Sequence, residues 1–198
     1  MKLDVRLTHR FLDQLWCQAI VVFLFEDDSL KKEYLSKINE TLASSLTPLI
    51  DTRFITGKRD ELVLIAPQER IKADKLLFVG LGSISSYSGR ILPAVTRRLS
   101  SSLDRLNVNE FCIMVPRFDN KKKEYEKFVR SMIRGIMSNY AKRKKDAVDF
   151  ILKVLVSVEK DVFSNMQSLQ QSLRSYLDPR MEYTIVIDES RGLRNEKV

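Results

Sequence analysis

Apolar and polar residues alternate along this chain in two rhythms, one of period two and one near 3.6. Leu3, Val5 and Leu7 alternate with polar neighbours, as in a strand buried on one face. "AIVVFLFE" is a continuous apolar run of buried-strand length. Asp27, Asp28 and Ser29 offer cap oxygens, and Leu30, Tyr34, Ile38, Leu42 and Leu46 then recur at helical spacing. "GKRDELVLIAP" predicts a turn and a short strand, and "KLLFVGL" a second strand. A helix is expected from Ser85, with Leu92, Val95, Leu99, Leu103 and Leu106 on one face; Pro93 puts its start near Ile91 or bends it there. "EFCIMVP" is a strand, and Tyr125, Phe128, Val129, Met132, Ile133, Ile136, Met137 and Tyr140 form the stripe of a long amphipathic helix. "DFILKVLVSV" follows as a strand, Val162, Met166, Leu169, Leu173 and Tyr176 line another helix, and "EYTIVIDES" is a last strand before a polar tail. Strands alternating with helices predict a three-layer α/β/α sandwich of one domain over residues 1–198, with a mostly parallel, mixed sheet.

Composition narrows the function classes. The longest apolar run, Ala19 to Phe25, is far below the ~20 residues of a membrane span. The start, "MKLDVRLTHR", carries charge where an export signal needs an apolar stretch. Cys17 and Cys112 lie in or beside apolar runs, as buried reduced thiols do, so a cytoplasmic location is expected. The unusual global quantity is charge, +8 with a pI near 9.5. It has an address. Lys121, Lys122, Lys123, Lys127, Arg130, Arg134, Lys142, Arg143, Lys144 and Lys145 are opposed within their segment only by Glu124 and Glu126, so this stretch carries as large an excess as the whole chain. With the apolar stripe turned inward, these cations are a solvated helix face or a polyanion-binding one. The nucleic-acid-binding candidates are Lys127, Arg130, Arg134, Lys142, Arg143, Lys144 and Lys145, and Arg97, Arg98 and Arg105 extend the patch if their helix lies alongside. Tyr125, Phe128 and Tyr140 belong to the buried stripe, which leaves no aromatics interleaved for stacking on bases.

"FVGLGSISS" is the second candidate. Its register puts Ser85 where a dinucleotide fingerprint has a third glycine, and the Gly-Lys-Ser/Thr of a Walker loop is absent. Gly80, Gly82, Ser83 and Ser85 remain as an anion-binding candidate at a helix start, or simply as small residues of a tight turn. Glu26, Asp27 and Asp28 suit a helix cap better than a cation site. The single histidine, His9, has no ligand-spaced partner, and no Gly-x-Ser-x-Gly elbow or Cys–His pair is present.

Several segments together resemble the amino-terminal domain of the leucyl aminopeptidases. "FLDQLWCQAIVVFLFEDD" is similar to its opening, "FITGKRDELVLIAP" to its Phe-x-Gly-Lys-x-Gly-Glu stretch, "DKLLFVGLGS" to its Val-Gly-Leu-Gly turn, and "IRGIMSNYAKRKKD" to its helix, tyrosine and basic stretch. The resemblance covers about residues 12–159 and leaves 160–198 as an extra helix, strand and polar tail. It implies a macro-domain-like fold. In the family a second, larger domain carries two metal ions and the catalytic residues, and nothing here resembles it. Asp60 stands where the family has a glycine. Macro domains that bind ADP-ribose use a second glycine-rich loop that this sequence lacks. The resemblance therefore implies a stand-alone, non-catalytic relative with no metal or other cofactor, acting as a binding or protein-interaction module. Its partners would be protein (a second copy or a full-length aminopeptidase) or nucleic acid, with no membrane; a macro-type nucleotide or ADP-ribose site is a further alternative.

Overall fold

The computed structural model describes residues 1–11, 14–27, 33–115, 122–144, 147, 149–158, 166–177 and 181–188. In chain order the elements are β1 (Lys2–Thr8), β2 (Cys17–Leu24), α1 (Glu33–Thr41), α2 (Leu46–Asp51), β3 (Leu62–Ile65), β4 (Ala73–Gly80), α3 (Leu92–Arg105), β5 (Glu110–Met114), α4 (Lys122–Arg143), β6 (Ile151–Ser157), α5 (Met166–Arg174) and β7 (Glu182–Asp188). The strands form one sheet in the order β3-β4-β2-β5-β6-β1-β7. Only β3 runs antiparallel to its neighbour; every other pairing is parallel. The predicted mixed sheet and sandwich are thus the observed architecture.

Period-two alternation divides the core in two. On β2, Ala19, Val21 and Phe23 join the cluster under α3, α4 and α5, while Ile20, Val22 and Leu24 join the cluster under α1 and α2. The first cluster runs across the sheet from Leu77 on β4 to Ile185 on β7. The second is shorter, reaching from Leu76 on β4 to Cys112 on β5, with Leu155 of β6 at its margin. Among the described residues no helix covers the far half of that face, where Asp4 bonds Arg6 and Thr184, and Ile151 and Val186 are exposed. The alternation of Leu3, Val5 and Leu7 with Asp4 and Arg6 encodes that one-sided burial directly.

Two element boundaries differ from the periodicity. The Leu30–Leu46 stripe breaks after α1, where Ala43 and Ser44 take positive φ, 48° and 61°. Asn39 fixes the break: its Oδ1 accepts from Leu46 N and Thr47 N at 3.1 and 3.2 Å, capping α2 from the preceding helix. Leu30 lies outside the described residues. Beyond β4 there is no helix start at Ser85. A single 3₁₀ turn, Ile84–Ser86, intervenes, and α3 begins at Leu92 with Pro93 in its first turn.

α3 and α4 pack side by side at a contact made close by Gly135. A Cβ there would fall 1.8 Å from Thr96 Oγ1. Ser100 Oγ donates across the same contact to the Ile136 carbonyl at 3.0 Å. Tyr140 Oη, near the end of α4, donates to the Val108 carbonyl at 2.7 Å, which orients the long helix over the sheet. Burial pushes the Tyr140 phenol up from its ordinary pKa.

Candidate functional sites

The glycine junction is held by protein groups on every side. Three backbone segments converge there: the end of β2, the Gly57–Lys58 turn and the end of β4. Gly80 N–H donates to the Glu61 carbonyl at 2.9 Å, Leu81 N–H to the Leu24 carbonyl at 2.8 Å, and Gly82 N–H to the Gly57 carbonyl at 2.9 Å. A Cβ on Gly80 would lie 1.8 Å from the Lys58 carbonyl oxygen, and one on Gly57 2.5 Å from that of Phe25. Gly82 holds φ +80°. The Glu61 carboxylate ties the turn, accepting from Thr56 N (2.9 Å), Thr56 Oγ1 (2.7 Å) and Gly57 N (2.7 Å). Asp60 holds φ +66°, a backbone region that favours glycine and tolerates Asp.

The hydroxyl half of the junction faces a carboxylate. Asp27 Oδ2 accepts from Ser83 Oγ at 2.9 Å and from Ile84 N at 2.8 Å, and Ser83 Oγ lies 2.9 Å from Ser85 Oγ. An anion approaching these donors meets Asp27 already on them. Gly80, Gly82, Ser83 and Ser85 do sit together, but Gly80 serves close backbone approach, Gly82 a positive φ, Ser83 bonds Asp27 and Ser85 meets Ser83. Beside the turn, a cavity of about 330 Å³ is lined by Phe25, Glu26, Arg53, Thr56 and Lys58 among others.

The basic segment behaves differently along its length. Every aromatic of the α4 stripe is buried, with Phe128 edge-on to Phe23 at 5.4 Å. Lys127, Arg134, Lys142 and Arg143 are exposed, and Arg130 and Lys144 half-buried. From Lys127 to Lys142 this outer stripe runs about 22 Å along the helix. Beside it, α3 turns Arg97, Arg98 and Arg105 outward. Arg143 and Lys144 both reach Asp104 of α3, at 2.8 and 3.4 Å, so part of the sequence-dense corner is neutralised by a largely buried carboxylate. Lys144 Nζ also lies 5.4 Å from the Phe150 ring centroid. Lys145, together with Lys121, lies outside the described residues.

Arg130 and Arg134, one turn apart, meet Tyr176 just past α5. Their guanidinium carbons lie 5.6 and 5.8 Å from its ring centroid, and Arg134 Nη1 donates to Tyr176 Oη at 3.1 Å. Periodicity places Tyr176 in an apolar stripe, yet it follows the helix and keeps 38% of its surface exposed. Sequence reasoning missed Asp104 and gave Asp27 and Tyr176 other roles, a cap of the following helix and a member of an apolar stripe. All three act through partners at least 39 residues away, which no local pattern reports.

The two thiols are quiet. Cys112 is fully buried, and burial raises its pKa well above the ordinary thiol range. Cys17 Sγ donates to the Ala19 carbonyl at 3.1 Å, and burial pushes its pKa up to about 11. Among the described residues, no three His, Cys, Asp or Glu side chains come together as metal ligands, and no helix is long and apolar enough to cross a membrane.

Comparison with known proteins gives a concordant picture. Residues 21–142 match the model of the cytosol aminopeptidase family, N-terminal domain. A probable cytosol aminopeptidase of Sulfurihydrogenibium sp. is 23% identical over 137 residues, which are 68% of this chain and 26% of that protein. One from Geobacter sulfurreducens is 30% identical over 67 residues, 34% of this chain and 14% of that protein. The matched stretch thus spans about a quarter of the first of these relatives and about a seventh of the second. Among solved structures, a mutant tomato leucine aminopeptidase superposes with a TM-score of 0.62 at 10% identity, covering 87% of this chain and 35% of that one. The macrodomain of Thermus aquaticus DarG superposes with a TM-score of 0.57 at 8% identity, covering 78% and 97%. At such identities the structural likeness speaks for the fold alone.

Proposed function

The chain belongs to the cytosol aminopeptidase family by its amino-terminal domain, and we propose that this domain works by binding, without catalysis of its own. Its ligand is a phosphate-bearing polymer of the nucleic-acid class, and its working surface is the outer face of α3 and α4. One observation carries this reading: Arg97, Arg98 and Arg105 are exposed on α3, the helix packed against α4, where Arg134 and Lys142 are exposed, while Asp104 pairs with Arg143 and Lys144 at the end of α4. Clustered cations gain affinity by releasing counterions from a polyanion, and that gain is lost steeply as salt rises. Binding of a labelled DNA duplex, titrated over a range of salt, tests it. We expect log affinity to fall linearly with log salt, and Lys127→Gln/Arg130→Gln/Arg134→Gln to cost more than Arg143→Gln/Lys144→Gln. Salt-insensitive binding, or none, overturns the proposal. Turnover of a leucine substrate by the purified chain with manganese or zinc overturns its non-catalytic part.

A protein partner, either a second copy or a full-length aminopeptidase, is the competing reading. Trp16 favours it: 73% exposed, with Lys72 Nζ 5.5 Å from its ring centroid, it stands on an open groove of about 730 Å³ beside Pro67 and Ile71. Large exposed apolar residues beside a groove mark interaction surfaces. Sedimentation of the wild type and Trp16→Ala separates the readings. A macro-type nucleotide site at Gly80–Ser85 draws support from the fold and is opposed by Asp27, whose charge repels a phosphate at those donors. A thermal shift with millimolar ADP-ribose would speak for it.

A further inference from the structure

The cations of this face are not equivalent, because one pair is organised by a phenol. Arg130 and Arg134 sit four residues apart on α4, where like charges repel. Tyr176 lies against both guanidiniums, and its Oη accepts from Arg134 Nη1. Three consequences follow from donor chemistry. A phenol that accepts from a guanidinium keeps its own proton to donate, and the charge on Arg134 polarises it into a stronger donor. Arg134 has five N–H donors and spends one on Tyr176. Arg130 Nε is buried with no hydrogen-bond partner among the described residues. The free N–H groups of Arg134, the terminal N–H groups of Arg130 and the Tyr176 hydroxyl therefore lie together where α4 meets the turn after α5, while Glu126, one turn before Arg130, accepts from Ser168 Oγ at 3.3 Å.

We infer that Arg130, Arg134 and Tyr176 form a phosphate seat, the point on the cationic face where a phosphodiester is gripped by directed hydrogen bonds as well as by charge. The guanidinium fork supplies paired N–H donors to two phosphate oxygens, and the phenol donates to one of them. The seat reads no base, so the grip is independent of sequence. This inference rests on the polyanion reading above.

The test separates directed bonds from bulk charge by measuring anisotropy of a short fluorescent DNA duplex at several salt concentrations. Four single variants are compared with the wild type: Tyr176→Phe, Arg134→Lys, Arg134→Gln and Lys142→Gln. A hydrogen bond to a charged group has a known range of worth, so Tyr176→Phe weakens binding about tenfold or more at every salt concentration with the slope unchanged. Arg134→Lys keeps the charge, hence the slope, and loses the fork and its affinity. Arg134→Gln loses affinity and also flattens the slope by about 0.9, one phosphate contact. Lys142→Gln flattens the slope by the same amount and loses less affinity. If Tyr176→Phe and Arg134→Lys bind as the wild type does, the seat is refuted while the polyanion reading survives. If the wild type does not bind at all, both fall.

Discussion

Replacing Gly80 by alanine decides whether the glycine-rich turn exists for the chain or for a ligand. A Cβ at position 80 would stand 1.8 Å from the Lys58 carbonyl oxygen and 2.8 Å from the carbonyl carbon and oxygen of Gly57. All three are backbone atoms, so no side chain can swing away. To restore an ordinary contact of about 3.4 Å, the turn and the strand end must part by about 1.6 Å. That displacement strains the Gly80–Glu61 and Gly82–Gly57 hydrogen bonds, both now 2.9 Å. Overpacking costs about 1–3 kcal/mol and two backbone hydrogen bonds about 1 kcal/mol each, a total of about 3–5 kcal/mol. Gly80 is not at positive φ, so the effect is steric alone. For a chain of this size that is a fall in Tm of about 10 °C, read by circular dichroism. Gly82→Ala is the graded control: its φ of +80° adds about 1 kcal/mol, while its Cβ comes no nearer than 3.3 Å to Arg59 Cβ, a contact that needs a shift of only a few tenths of an ångström. Gly89→Ala, with nothing within 4 Å, is the neutral control. If Gly80→Ala unfolds within about 1 kcal/mol of the wild type, the close approach is not what the glycine serves.

Four further outcomes follow from the structure. Gly135→Ala sets a methyl 1.8 Å from Thr96 Oγ1; after a helix-propensity gain of about 1 kcal/mol it remains net destabilising by up to about 2 kcal/mol in urea unfolding, and Thr96→Ala in the same chain relieves part of that by removing the hydroxyl. Asp60→Gly relaxes φ +66° and stabilises by up to about 1 kcal/mol, or leaves stability unchanged where lost chain entropy offsets it; a clear loss of Tm contradicts the backbone account. With its pKa raised from 9.0 to about 11, Cys17 is alkylated about a hundredfold more slowly at pH 8 than an unperturbed thiol, and labels promptly only in denaturant. Because folding raises that pKa, the associated stability is complete below pH 9 and declines as the pH climbs from 9 toward 11, which denaturation at stepped pH measures.

The fold was legible because burial leaves local marks. Leu3, Val5 and Leu7 betray β1, and the eight-residue apolar stripe betrays α4, since each element contacts the core at its own period. The start of α3 was legible from Pro93. The break after α1 was not: Asn39 caps the next helix seven residues on, while the apolar spacing runs through the break undisturbed. The missing helix at Ser85 has a similar cause. Small polar residues suit a helix start and a 3₁₀ turn equally, and Asp27, fifty-seven residues before Ile84, selects the turn.

Charge is additive along a sequence and pairwise in space, and that difference governs what could be read of the cationic face. Lys142 to Lys145 is the densest stretch of cations in the sequence, but Asp104 turns two of its members inward to an ion pair. Arg130 and Arg134 are sparser in sequence, yet they share one helix face and meet a phenol that arrives 42 residues later. A polyanion responds to summed charge at long range and to individual donors at contact. The same face therefore attracts through the whole stripe and holds at Tyr176. The order of affinity losses along α4 follows donor geometry, with Arg134 above Lys142, rather than the local density of lysine and arginine.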